Sequence, residues 1–174
     1  MADRPSVDPD HPTGQPTIHG TAIRLDGQGV LILGASGSGK SRLALALLAE
    51  AGCWPTQRSE TSATQEPSND APSVLIGDDR LIVESQESQL MARPPATLAG
   101  LIEVRGVGLL AMPWCETAKL DLVVDLKPLE DCERLPDPRR TGVGDQELPA
   151  LSVPVGDLAH QTLMVGVARR LLGT

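Results

Sequence analysis

The chain has 174 residues, a formal net charge of −8 and 40% hydrophobic residues, which is enough to bury the core of one compact domain. Trp54 and Trp114 are its only aromatic residues, so it lacks the side chains on which single-stranded nucleic acids stack. Because the negative charge also repels a polyanion, nucleic acid is excluded as an expected partner.

The cysteines and the hydropathy pattern point to an intracellular protein. Cys53, Cys115 and Cys132 are odd in number and have no metal-ligand spacing, which is typical of reduced thiols. No apolar run approaches the roughly 20 residues that span a bilayer, and no basic-then-apolar leader opens the chain. We therefore predict a soluble, cytoplasmic protein without a membrane partner.

The first ordered segment is predicted to begin at residue 17. Residues 1–16 are rich in Asp, Pro and Thr without periodicity, so we expect a disordered leader followed by one domain at residues 17–174. Residues 17–25 are predicted to form a strand. Asp26-Gly27 is a hairpin turn signal that leads into a second, apolar strand at residues 29–33.

A glycine-rich segment after this strand matches the pattern G-x-x-x-x-G-K-[ST], which cradles phosphate groups between a strand and a helix. Residues 41–51 supply the helix, because they are strong helix formers with leucines at helical spacing. Glycines let backbone N–H groups turn toward phosphate oxygens. We predict that the segment binds a nucleoside triphosphate, the alternative being a glycine-rich turn without a ligand. The predicted binding residues are Gly34, Ala35, Ser36, Gly37, Ser38, Gly39, Lys40 and Ser41.

Two residues at the end of this loop have specific expected roles. The ammonium group of Lys40 is expected to reach the outer phosphates, and the hydroxyl of Ser41 to ligate magnesium. The expected ligand is therefore a triphosphate that carries Mg²⁺.

The rest of the chain is predicted to consist mainly of short strands. Residues 54–73 contain hardly an apolar side chain, which indicates a flexible surface insertion. A loop at residues 94–100 and a proline- and charge-rich excursion at residues 127–149 interrupt the strands, and a helix at residues 158–172 follows the last one. Because short strands outnumber long helices, we expect an α/β fold with a mixed sheet flanked by helices. The predicted strands are residues 74–76, 81–83, 101–104, 107–112, 120–126 and 151–155.

Acidic residues follow or lie within two of these strands. Asp78 and Asp79 come directly after residues 74–76, at a strand end where ligands gather in open α/β sheets. One carboxylate is then available for a metal or water and the other for a nucleophile; the alternative is a solvated acidic turn. Glu103 and Arg105 lie among apolar strand residues, where a metal, a phosphate or a mutual salt bridge is expected to satisfy them.

Four sequence blocks occur together in the order of one enzyme family. They are IHGT at residues 18–21, GASGSGKS at 34–41, IGDDR at 76–80 and LIEVRGVGLL at 101–110. In this combination the chain resembles the catalytic domain of bacterial HPr kinase/phosphorylase, which phosphorylates a serine of the phosphocarrier protein HPr. A weaker block, ERLP at residues 133–136, extends the resemblance. It implies a P-loop kinase domain with the fold shared by HPr kinase and PEP carboxykinase.

The resemblance implies roles for the matching residues. ATP is expected to be held by the loop and Lys40, with Ser41 and Glu103 as magnesium ligands. Asp79, with Asp78 beside it, is expected to be the base that takes the proton of the HPr serine hydroxyl. In the reverse reaction, inorganic phosphate attacks phosphoserine and gives pyrophosphate.

Two further catalytic residues are expected from the same resemblance. His19 occupies the position of a histidine that supports the aspartate or the incoming phosphate, although a strand histidine without such a role is the alternative. Arg134 is expected to steady charge on the transferring phosphate, with Arg139 and Arg140 as alternatives in the same loop.

The chain resembles a short form of the family without its separate N-terminal domain, acting on HPr or an HPr-like paralogue in a phosphotransferase system. Because family members assemble as hexamers, a homo-oligomer is a further expectation.

Two other functions remain open at this point. A small-molecule kinase would place the label from ATP on a metabolite, and a nucleotide-sensing module would have no use for Asp79.

Overall fold

A computed structural model describes residues 7–8, 17–57 and 67–172. Within them lie fourteen strands, two α-helices and one short 3-10 helix. The helices are α1 (Lys40–Glu50) and α2 (Leu158–Leu172), and the 3-10 helix is Leu129–Asp131. The strands are β1 (Val7–Asp8), β2 (Thr17–His19), β3 (Thr21–Leu25), β4 (Gln28–Gly34), β5 (Thr56–Gln57), β6 (Val74–Gly77), β7 (Arg80–Gln86), β8 (Gln89–Arg93), β9 (Leu101–Val104), β10 (Gly108–Ala111), β11 (Ala118–Lys119), β12 (Leu122–Lys127), β13 (Arg139–Val143) and β14 (Gln146–Pro154).

The central element is a six-stranded mixed sheet in the order β13-β14-β12-β4-β3-β6. Its middle strands β14, β12 and β4 are parallel, and the outer strands pair antiparallel. Side chains alternate along β4, so Val30 and Ile32 face one side of the sheet and Leu31 and Leu33 face the other. Because both sets are buried, this sheet is covered on both faces.

The two faces of the central sheet are covered differently. Both α1 and α2 pack on the face of Val30 and Ile32, together with the β9–β10 hairpin. The opposite face packs against the five-stranded sheet β1-β2-β7-β8-β11. The predicted mixed sheet is confirmed, but the helices flank one face only. The sequence could not show this, since an apolar strand such as β4 has the same pattern under a helix and under a second sheet.

The strand predicted at residues 17–25 is two strands that belong to different sheets. Gly20 separates β2, which pairs with β7, from β3, which pairs with β4. A Cβ atom at Gly20 would lie 3.0 Å from the carbonyl oxygen of Ile32, so a side chain would be crowded where the chain passes from one sheet to the other. The predicted turn at Asp26-Gly27 is confirmed, with left-handed φ angles of 47° and 85°.

Other differences concern strands that were not predicted. The strand β8 was missed, because its five residues are too few for an alternating pattern to stand out. The predicted excursion at residues 127–149 contains β13 and the first residues of β14. These segments have a polar sequence, and β13 lies at the edge of the central sheet, where few apolar residues are needed. The predicted helix at residues 158–172 and the strands β6, β7, β9, β10 and β12 are confirmed within a few residues.

The two segments predicted to be unstructured fall partly outside the described residues. Of the predicted leader, the structure describes only β1, which pairs with β2. Of the predicted insertion at residues 54–73, residues 58–66 are outside the description. Its described ends are held in place, since β5 pairs with β10 and the Arg24 guanidinium donates to the carbonyl oxygens of Ser68, Asn69 and Ala71.

Candidate functional site

The glycine-rich loop connects β4 to α1 and has the backbone that its sequence requires. Gly34, Gly37 and Gly39 have φ angles of 145°, 77° and 97°, in the region that favours glycine. Gly34 also approaches β12, because a Cβ atom there would lie 2.9 Å from the carbonyl oxygen of Leu126. The strand, loop and helix thus follow one another as the phosphate-binding pattern predicts.

Lys40 is buried at the first turn of α1. Its Nζ donates hydrogen bonds to the carbonyl oxygens of Gly34 and Ala35, each at 3.1 Å. Burial lowers the pKa of Lys40, and the nearby charges of Asp78 and Asp79 oppose this effect. An anionic ligand in the loop would further offset the cost of desolvating the ammonium group.

Ser38 supplies an independent indication that the loop binds a ligand. Its hydroxyl oxygen is buried and has no hydrogen-bond partner among the described residues. A buried hydroxyl without a partner is costly, and the oxygens of a bound phosphate are suitable acceptors. The residues of the loop therefore fit a nucleotide phosphate.

Asp78 connects three elements of the site. It is 5% exposed, and its Oδ1 accepts hydrogen bonds from the hydroxyls of Thr21 (2.6 Å) and Ser41 (2.8 Å). Its Oδ2 accepts one from the backbone N–H of Glu103 (3.1 Å). A buried carboxylate with three donors is well satisfied, so Asp78 holds the start of α1, β3 and β9 together.

Asp79 has a different environment. Its side chain is 62% exposed, and Oδ1 lies 3.3 Å from Nδ1 of His19, which is itself 53% exposed. Asp79 has a φ angle of 68° at the centre of a tight turn in which the N–H of Arg80 donates to the carbonyl oxygen of Asp78. Such a turn is strained for a residue with a side chain, and strain of this kind clusters at functional sites.

Glu103 and Arg105 lie where β9 enters its hairpin with β10. Both side chains are exposed, and the structure has no ion pair between these two residues. Of the three alternatives expected for this pair, the mutual salt bridge is therefore absent, and exposure of both side chains to water removes the need for one.

A cavity of 460 Å³ joins these elements. It brings together all predicted site residues from Ser36 to Ser41 with His19, Asp78, Asp79 and Glu103, while Gly34 and Ala35 lie beneath Lys40. No site role was predicted for Arg42, Leu45 and Val104, which also line the cavity. None was predicted for Thr21 either, although it belongs to the IHGT block and carries a hydroxyl inside an apolar strand.

Arg134 is predicted as a catalytic residue, but it does not line the cavity. It is exposed in the segment between the 3-10 helix and β13. Of its two alternatives, Arg139 donates to Ser152 Oγ (2.8 Å) and Asp125 Oδ2 (3.2 Å), and Arg140 donates to the carbonyl oxygen of Glu147. The structure thus gives Arg139 and Arg140 contacts within the sheet that contains β13.

Among the described residues, no three His, Cys, Asp or Glu side chains are grouped closely enough to hold a metal ion. The proposed ligands Ser41 and Glu103 are both fixed by Asp78, one through its hydroxyl and one through its backbone.

The remaining sequence predictions concern residues away from the cavity. Cys53, Cys115 and Cys132 are free, and burial raises the pKa of each thiol. In the part of the chain that the structure describes, neither helix has the length and apolar composition needed to cross a membrane.

The fold and the site together define a phosphate-loop α/β protein with an acidic pair beside the loop. No protein-family model matches the chain. It is 32% identical over 151 residues to the HPr kinase/phosphorylase of Lactiplantibacillus plantarum, which covers 80% of this chain and 41% of that protein. It is 29% identical over 167 residues to the HPr kinase/phosphorylase of Caldicellulosiruptor bescii, which covers 87% of this chain and 46% of that protein.

The structural comparison agrees with these sequence similarities. The HPr(Ser) kinase/phosphatase from Coxiella burnetii superposes with a TM-score of 0.70 at 22% identity, over 89% of this chain and 88% of the solved one. The fold is therefore that of the HPr kinases, and the predicted resemblance to HPr kinase/phosphorylase is confirmed. The chain spans less than half the length of the curated relatives just described.

Proposed function

We propose that this chain is an ATP-dependent protein-serine kinase whose substrate is HPr or an HPr-like phosphocarrier protein. One observation carries the proposal: Asp78 contacts Ser41 of the phosphate loop, while the adjacent Asp79 is exposed in the same cavity. A nucleotide-binding module has no need for an exposed, strained carboxylate at that place. The sequence similarity to HPr kinase/phosphorylases supports HPr as the class of substrate.

The proposed nucleotide site uses the loop and its lysine. On binding, Lys40 would exchange its bonds to the Gly34 and Ala35 carbonyl oxygens for phosphate oxygens, and Ser38 would gain an acceptor. Mg²⁺, which Ser41 and Glu103 would hold, neutralises charge on the phosphates when it is bound. The exposure of Glu103 leaves its carboxylate accessible from the cavity.

The proposed transfer step uses Asp79 as the base. The substrate serine hydroxyl gives its proton to the Asp79 carboxylate as its oxygen bonds to the γ-phosphorus, and the bond from that phosphorus to the β-phosphate oxygen breaks, releasing ADP. His19, 3.3 Å away, orients Asp79. In the second reaction, inorganic phosphate would give its proton to Asp79 as its oxygen bonds to the phosphorus of phosphoserine. The bond from that phosphorus to the serine oxygen would break, and Asp79 would pass the proton to the serine oxygen, leaving pyrophosphate.

The proposal is tested by incubating the protein with ATP, Mg²⁺ and purified HPr proteins and weighing the products by mass spectrometry. We expect a single phosphate on one HPr serine, and pyrophosphate after inorganic phosphate is added. Asp79→Asn should reduce the transfer rate by about 100-fold or more, the range expected for a general base. Asp137→Asn is the matched control, because Asp137 is exposed and lies outside the cavity. Unmodified HPr, with label on a metabolite or nowhere, would refute it.

The cellular setting belongs to the same proposal. A kinase for HPr would regulate a phosphotransferase system in the cytoplasm. Homo-oligomer formation, proposed from the family resemblance, is tested separately by light scattering of the purified chain.

A further inference from the structure

His19, Gly20 and Thr21 are consecutive residues that together contact the two aspartates of the site. The side chain of His19 lies 3.3 Å from the carboxylate of Asp79, and the backbone N–H of Gly20 donates to the carbonyl oxygen of Asp79 at 3.2 Å. The hydroxyl of Thr21 donates to the carboxylate of Asp78 at 2.6 Å. The segment where the chain crosses from one sheet to the other therefore holds the acidic pair at three points.

Of these contacts, the one made by Thr21 is the most enclosed. Thr21 is fully buried and Asp78 is 5% exposed, so water cannot replace the hydroxyl. A hydrogen bond to a buried carboxylate is stronger than one between neutral groups. Its loss leaves the buried carboxylate oxygen with one donor fewer, which costs free energy. The oxygen that accepts from Thr21 also accepts from Ser41.

We infer that Thr21 is a positioning residue for the nucleotide site, because its hydroxyl fixes Asp78 and Asp78 fixes Ser41 and Glu103. Thr21 does not line the cavity, so it acts without touching the ligand. Since Asp78 is the contact shared by both proposed magnesium ligands, the effect should be on the magnesium-dependent part of ATP affinity. This inference rests on the proposed function only in that Ser41 and Glu103 are taken as the magnesium ligands.

A change at Thr21 should alter the site through geometry. Without the hydroxyl, Oδ1 of Asp78 keeps one donor, and the carboxylate is free to rotate toward it. Such a rotation would move Oδ2 from the N–H of Glu103 and release the start of β9 from the phosphate loop. Lys40 makes no hydrogen bond to Asp78, so the contacts of the loop and Lys40 with the phosphates should be unchanged.

The test compares ATP affinity with and without magnesium by calorimetry. Thr21→Val, which keeps the shape and removes the hydroxyl, should weaken binding of ATP with Mg²⁺ by about 10- to 100-fold. Its affinity for ATP in EDTA should stay at the wild-type value. Thr21→Ser, which restores a hydroxyl, should recover the magnesium dependence. Thr141→Val is the matched control, because Thr141 is also a buried strand threonine but donates no hydrogen bond to Asp78.

If valine disturbs folding, Thr21→Ala removes the same hydroxyl with a smaller side chain and carries the test. A double mutant supplies an independent measurement, since Thr21→Val should have little further effect in a Ser41→Ala background. The inference is overturned if a folded Thr21 variant binds ATP with Mg²⁺ as tightly as the wild type, or if it loses affinity equally in EDTA. These readouts need no protein substrate, so they remain decisive even if HPr is not phosphorylated.

Discussion

The hydroxyl of Ser41 lies 2.8 Å from Oδ1 of Asp78, so the first turn of α1 and the end of β6 are joined by one hydrogen bond. This contact places the phosphate loop and the acidic pair in one cavity. It also gives the two aspartates different surroundings, because Asp78 is enclosed by donors while Asp79 remains exposed. On this difference we assign nucleotide binding to Asp78 and phosphate transfer to Asp79.

Lys40 should be necessary for ATP binding. Lys40→Met removes the ammonium group and should weaken ATP affinity by about 10- to 100-fold, the cost of a charged hydrogen bond. The same change should make the fold more stable near neutral pH, since burial lowers the pKa of Lys40 and its charged form opposes folding. In the wild type, stability should therefore rise as pH increases from the lowered pKa toward 10.5.

Calorimetry for affinity and thermal unfolding for stability check this pair of effects. Lys119→Met is the control, because Lys119 is half exposed and pairs with Asp121 away from the cavity. Unchanged ATP affinity in Lys40→Met would contradict the assignment of the loop.

Asp79 should lower the stability of the fold. Its φ of 68° is costly for a residue with a side chain, so Asp79→Gly should stabilise the protein by about 1 kcal/mol. The exposed contact with His19 contributes little and should not cancel the gain. Transfer activity should be lost in the same variant. Chemical denaturation measures the stability, and a less stable Asp79→Gly protein would argue against strain at this turn.

Replacing two glycines by alanine should change the stability of the fold in opposite directions. A Cβ at Gly29 would lie 1.8 Å from the carbonyl oxygen of Lys119, so Gly29→Ala should destabilise the fold by about 3 kcal/mol. Gly166 lies within α2 with nothing near its added Cβ, so Gly166→Ala should stabilise by about 0.5–1 kcal/mol. Urea unfolding of both variants checks the packing of β4 against β11 and the helical state of residue 166.

Replacing Arg134 should affect the transfer rate, whereas replacing Arg139 should affect the stability of the fold. Arg139→Ala removes contacts with Asp125 and Ser152, so it should lower stability by about 1 kcal/mol and leave transfer unchanged. Arg134→Ala should leave stability unchanged and reduce the transfer rate, if the role implied by the family resemblance holds. Unfolding curves and initial rates of HPr phosphorylation measure the two effects. An equal rate for Arg134→Ala and the wild type would remove Arg134 from the catalytic set.

The sequence predicted the parts of the site that depend on local chemistry. The loop from Gly34 to Ser41 needs glycines with positive φ angles between a strand and a helix. These glycines are close together in the sequence, so a short motif is enough to recognise the loop. Asp78 and Asp79 were found because they follow an apolar strand directly.

What could not be predicted depends on contacts between distant segments. Thr21 and Asp78 are 57 residues apart, and nothing in an apolar strand marks which hydroxyl will meet which carboxylate. The break at Gly20 was missed because one glycine between two short segments does not reveal that the chain changes sheets there. The strand β8 was missed because its five residues are too few for an alternating pattern to stand out, although Leu90 and Ala92 are both buried.

The division of roles between the two aspartates is tested most directly by comparing Asp78→Asn and Asp79→Asn in parallel, with ATP affinity measured in Mg²⁺ and the rate of HPr phosphorylation measured at saturating ATP. We expect Asp79→Asn to bind ATP with wild-type affinity and to transfer phosphate slower by about 100-fold or more, whereas Asp78→Asn should bind ATP with Mg²⁺ weakly. Wild-type transfer by Asp79→Asn, or unimpaired binding by Asp78→Asn, would contradict it.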